Sequence, residues 1–117
     1  MMSRRLMILT LSMGLGLGAL ARPAYADPNY LEQAISDTKE AIAAGNQMEA
    51  ASFVEHIDDA YDHARSAVWQ TPVDPIRKGI KYLRKAAKLA RGTSMDKRIA
   101  KATEQAQLAL EQFQSVK

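Results

Sequence analysis

Apolar residues recur at helical spacing through four segments, and none alternates with period two over a useful length. In the first segment Leu31, Ala34, Ile35, Thr38, Ala41 and Ile42 share one face. Asp27-Pro28 supplies an N-cap and a first-turn proline, and Gly45 supplies a stop. Asn46-Gln47-Met48-Glu49 reads as a capping-box-like start for the second helix. Its stripe is Ala50, Phe53, Val54, Ile57, Ala60, Tyr61, Ala64 and Val68. Thr71-Pro72-Val73-Asp74-Pro75 then breaks the chain and offers two overlapping cap-plus-proline starts. The third helix runs through Ile76, Ile80, Leu83, Ala87 and Ala90 to Gly92. Thr93-Ser94-Met95-Asp96 caps the fourth, which turns Met95, Ile99, Ala102, Ala106, Ala109, Leu110, Phe113 and Val116 inward. The links are short, which favours antiparallel neighbours. The pattern predicts an all-α, up-down-up-down antiparallel four-helix bundle built of two helical hairpins.

The two hairpins resemble one another. Gly45-Asn46 and Gly92-Thr93 are each followed, two residues later, by Met and then an acid. An eight-residue frame also recurs: Tyr30 to Asp37, His56 to His63, Tyr82 to Leu89 and Ala102 to Ala109. Each copy has two polar residues followed by Ala in its fifth slot (Ala34, Ala60, Ala86, Ala106). At about 100° per residue, the first and eighth slots lie on the boundary between core and solvent. Repetition of this kind is the mark of an old duplication.

A chain of 117 residues suits one domain. Residues 1–26 have the form of a signal peptide: basic Arg4-Arg5, an apolar run from Leu6 to Leu20, and Ala24-Tyr25-Ala26 before Asp27. The apolar run is too short for a transmembrane span. The expected mature chain is therefore residues 27–117, periplasmic or secreted and not membrane-spanning after cleavage. It has no cysteine, which excludes disulfides and thiolate metal sites. The formal charge of +3 vanishes once Arg4, Arg5 and Arg22 leave with the signal peptide. What remains is divided: residues 27–74 hold ten acids and two bases, and residues 75–117 eleven bases and three acids.

His56 and His63 are the only two histidines, and they fill both boundary slots of the second helix. Seven residues apart, they lie about 10 Å apart along the axis and do not readily share one ion. Asp59 sits three residues from His56 and four from His63, on neighbouring turns. The candidate units are His63 with Asp59, and His56 with Asp59 or Glu49. Imidazole plus carboxylate suits Cu(II), Ni(II) or Zn(II). Folding the first hairpin about Gly45-Asn46 brings Asp37 level with His56, and Tyr30 level with His63, so Asp37 becomes a ligand candidate from the neighbouring helix. The competing reading makes both histidines ordinary boundary residues with one edge in water.

The frame H-(I/V/L)-D-x-A-x-x-H-A, the two-hairpin layout and the signal peptide together resemble the small metal-binding protein family. Its members are small periplasmic four-helix proteins with histidines at heptad spacing along their helices. The likeness spans roughly residues 30–113. The segment from His56 to Ala64 fits the motif best, and Gly79-Ile80-Lys81-Tyr82-Leu83 fits another family segment with Tyr in the histidine slot. The resemblance implies modest divalent transition-metal binding, for buffering or scavenging. Six of the eight slots here lack histidine, so the ligand content is reduced.

The other candidates divide the same way. Glu55, Asp58 and Asp62 form a second acidic cluster, read as a solvated or salt-bridged face rather than a cation site. The third helix carries Arg77, Lys78, Lys81, Arg84, Lys85, Lys88 and Arg91. That stripe either pairs with the acidic first half or meets an anionic surface or an acidic protein partner, as an envelope interaction module working without metal. Export argues against nucleic acid. Met48 and Met95 are expected to pack rather than to ligate Cu(I), and Trp69, Phe53 and Phe113 to fill the core or the hairpin ends. No C-x-x-C-H motif, Gly-rich phosphate loop or nucleophile–base pair is present. Haem, nucleotide and enzyme readings all lack support.

Overall fold

The computed structural model describes residues 29–116. The expected signal peptide, and the expected cap at Asp27-Pro28, lie outside the described residues. Four helices follow in order: α1 (Tyr30–Asn46), α2 (Ala50–Gln70), α3 (Asp74–Ala90) and α4 (Asp96–Gln114). Among the described residues there is no strand. Each helix packs on two neighbours, α1 and α3 each lying against both α2 and α4. The closest association lies within the hairpins α1–α2 and α3–α4. Side-chain pairs between α1 and α2 join Asp37 to His63 and Glu40 to His56, so the register falls on one helix as it rises on the other. This is an antiparallel four-helix bundle.

The core follows the apolar stripes. Phe53, Ile57, Ile76, Leu83, Ile99 and Phe113 are fully buried, with alanines between them. The fifth-slot residues Ala34, Ala60, Ala86 and Ala106 all have no exposed surface, as the repeated frame requires. Small side chains there let the helices approach closely. Leu31, Ile35, Ile42, Val54, Tyr61, Val68 and Ile80 form a half-buried rim around that centre. Of the boundary slots, Tyr30, Asp37, His56, His63, Tyr82 and Leu89 are half-buried. Ala102 and Ala109 instead lie wholly inside, on the buried face of α4 with Ile99, Ala106 and Phe113.

Two glycines let side chains of α4 approach their neighbours closely. Gly45 does not stop α1: it lies inside the helix, buried, and a Cβ there would overlap Thr103 Oγ1 of α4. Gly79 of α3 likewise faces the ring of Phe113, where a Cβ would overlap it. The hydroxyls of buried Thr38 and Thr103 donate to the carbonyls of Ala34 and Ile99, at 2.7 and 2.8 Å, so neither is left unpaired.

The caps differ from those the sequence suggested. Asn29 caps α1, its side chain accepting from the backbone N–H of Glu32 at 3.0 Å. Asn46 is the last residue of α1 and not a cap, and Glu49 precedes α2 without a side-chain cap bond. In this link Met48 takes the left-handed conformation at φ 59°, whereas in the last link Gly92 does so at φ 75°. The two links are therefore not equivalent. Thr93 accepts from Met95 N–H at 3.1 Å, one residue before α4 begins, so it shapes the link without capping the helix.

Three large residues expected inside are out. Met48, Met95 and Trp69 are 42%, 60% and 87% exposed. Met48 and Met95 belong to the links. Ala67 and Val68 face inward and half-inward, which turns Trp69 to the outer side of the last turn of α2. No helix among the described residues is long and apolar enough to cross a membrane.

Candidate metal site

The candidate site is the outward flank of the α1–α2 hairpin. Phe53, Ile57, Ala60, Ala64 and Ala67 anchor α2 in the core, and this phase holds His56 and His63 at the rim beside α1. His63 Nδ1 lies 2.5 Å from Asp37 Oδ2, and His56 Nδ1 lies 3.3 Å from Glu40 Oε1. The ring of Tyr30 stacks on that of His63, with centroids 6.5 Å apart and planes inclined by 20°. The His63–Asp37 pair is the more enclosed, since the Asp37 side chain is 18% exposed and that of Glu40 58%.

The chemistry of the pairs fixes which nitrogen remains. An ionised carboxylate only accepts, so in the hydrogen-bonded His63–Asp37 pair the Nδ1 of His63 carries the shared proton, whereas His56 and Glu40 stand at ion-pair distance. In the neutral imidazole the lone pair then sits on Nε2. Neither Nε2 has a protein hydrogen-bond partner among the described residues. Histidines that bind metals usually donate their other N–H to a carboxylate, which sets the tautomer and the ring orientation. His63 has that arrangement with Asp37, and His56 lies at ion-pair distance from Glu40.

The other sequence candidates fall in different places. Asp37 faces His63 rather than His56, because α1 continues through Asn46 and residues 47–49 make the turn, so the hairpin folds later than Gly45-Asn46. Tyr30 does meet His63. Asp59 is exposed and makes no ion pair with either histidine. Glu49 is exposed and makes none with His56, but both line a shallow concavity with Glu40, Gln47 and Ser52 at the turn end of the hairpin. Glu40 was missed by the sequence reading. Its signal is weak but present: three residues after Asp37, it shares that residue's flank of the helix.

The donor set meets a metal ion only in part. Imidazole and carboxylate suit a divalent transition metal. A closed site takes about four donors. Among the described residues no three His, Asp or Glu side chains converge closely enough to hold an ion. Each station therefore offers a single imidazole with a carboxylate beside it, hydrogen-bonded at His63.

The sequence model of the small metal-binding protein family matches residues 4–116. The chain belongs to the small metal-binding protein family. A search of curated proteins gives no match. The description of the small metal-binding protein family is one of metal binding and names no catalytic activity. In this member the histidines are confined to one face of one hairpin.

Proposed function

We propose that the protein binds Cu(II), Ni(II) or Zn(II) modestly on the α1–α2 face, and that it buffers or scavenges such ions in the periplasm or outside the cell. The observation that carries this reading is the pairing of both histidines, through Nδ1, with carboxylates of α1. At His63 the hydrogen bond to Asp37 leaves Nε2 as an oriented donor with Asp37 behind it, and at His56 Glu40 stands at ion-pair distance. Asp59, one helical turn from each histidine, and Glu49, which lines the same concavity as His56, are the carboxylates that would assist. A bound ion adds charge neutralisation to this acidic face and no reaction of its own. Support for export comes from the basic segment, apolar run and Ala24-Tyr25-Ala26 of residues 1–26.

Calorimetric titration of the purified protein with each of the three ions tests the reading. Heat of binding is expected in the wild type and absent in a His56→Ala, His63→Ala double variant. Both histidines lie at the rim, outside the buried core, so the variant should retain its helical circular dichroism. Equal affinity in the variant would remove the imidazoles from the account.

One observation favours a second reading, an envelope interaction module. Of the seven cations of the α3 stripe, all exposed, only Arg77 and Arg91 form ion pairs among the described residues, with Asp74 at 3.3 Å and Asp58 at 2.9 Å. The acidic half of the chain thus leaves most of the stripe uncompensated. Its natural counterpart is an anionic lipid surface. Vesicle binding that is indifferent to charge reversal at Lys81, Arg84 and Lys88 would dismiss this reading.

A further inference from the structure

Given the metal-binding reading, on which this rests, we infer that an ion on the α1–α2 face is shared between two copies of the chain, each donating an imidazole. His56 with Glu40, and His63 with Asp37, are stations of two residues, and no third His, Asp or Glu among the described residues joins either closely enough to hold an ion. Nδ1 of His63 is hydrogen-bonded to Asp37 and that of His56 faces Glu40 at 3.3 Å, which leaves Nε2 as the nitrogen of each ring that no described residue faces. The rings lie about 10 Å apart along α2, too far to share an ion within one chain. Their side chains are 30% and 35% exposed, which puts them within reach of a second molecule.

Heptad spacing makes a second copy the fitting partner. A two-fold contact uses the same patch on both chains, so two α2 helices laid side by side bring both rings of each into register together. The pair would hold two ions, each with an imidazole from either chain and carboxylates nearby. Charge sets the condition for this contact. The flank carries Asp37, Glu40 and Asp59, while Arg65 is turned away over the ring of Tyr61 and Lys39 lies on the far side of α1 by helical phase. Two such faces repel one another. A divalent ion removes the repulsion and supplies the bonds, so association depends on metal.

Zn(II) alone serves as the ligand for the test. The mass of the purified protein is measured by sedimentation or light scattering as Zn(II) is added and after chelation, with calorimetry on the same samples. The mass is expected to double near one ion per chain, to return on chelation, and to stay single in the His56→Ala, His63→Ala variant. Zn(II) uptake at single-chain mass overturns the shared ion and leaves the metal-binding reading standing. Absence of uptake takes down both. Doubling that persists in the folded double variant, checked by circular dichroism, overturns the assignment to the imidazoles.

Discussion

Asp37 touches His63 from the next helix and leaves the opposite side of the ring to a ligand. Its effect on an ion is therefore indirect, through the ring's tautomer and orientation. Asp37→Asn keeps an oxygen that accepts from Nδ1 and removes the charge. Metal affinity is expected to fall about tenfold, the lower end for losing a carboxylate behind a ligating histidine. Folding stability should change by less than about 1 kcal/mol, since the pair is partly exposed. Calorimetry and urea unfolding on the same variant separate the two effects, and unchanged affinity would deny Asp37 its orienting role. The histidines themselves were legible in the sequence, because residue type and heptad spacing are local properties. Their partners were not. Whether Asp37 meets His56 or His63 depends on where the turn falls, and that is decided by three exposed link residues, one of them Met48 in a left-handed conformation that its side chain does not favour.

At the scale of the helices, the stripes were legible and the ends were not. A stripe repeats its signal every turn, so one misplaced residue does not erase it. A cap is a single position, and several Asn, Asp, Thr and Ser residues compete for it. Gly45 shows the difference: next to Asn46 it reads as a stop, yet it serves as a hollow for Thr103. Nothing in the local sequence reports the helix that will lie across it. Gly79 is the parallel case in α3, set against the fully buried ring of Phe113. Alanine is a better helix former than glycine by about 1 kcal/mol. At Gly79 the added methyl would press into a ring that cannot withdraw, and overpacking of this kind costs about 1–3 kcal/mol. Gly79→Ala is expected to be destabilised on balance, with a lower denaturant midpoint. A midpoint above that of the wild type would show that α4 is not seated by the glycine hollow.

Across the whole molecule, the two hairpins divide the labour of charge. The outward flank of α1–α2 is acidic and holds both histidines, whereas the outward face of α3 is basic and largely unpaired. The apolar side of α3 is already spent, since Ile76, Leu83, Ala86 and Ala90 are buried in the bundle. An anionic membrane would therefore meet only the cationic face, with no apolar insertion behind it. Binding of that kind rests on roughly 1 kcal/mol for each cation near the surface, and it weakens as the Debye length shrinks from about 10 Å at 0.1 M salt to about 3 Å at 1 M. Reversing Lys81, Arg84 and Lys88 should lower binding to anionic vesicles by more than tenfold at low salt, and raising salt should do the same to the wild type. Neutral vesicles should bind neither protein. The metal face lies on the other hairpin, so the reversal should leave ion affinity in solution unchanged within error. Vesicle sedimentation over a salt series, run beside calorimetry, reads both quantities. A variant that lost metal affinity together with vesicle binding would show that the two hairpins do not act separately.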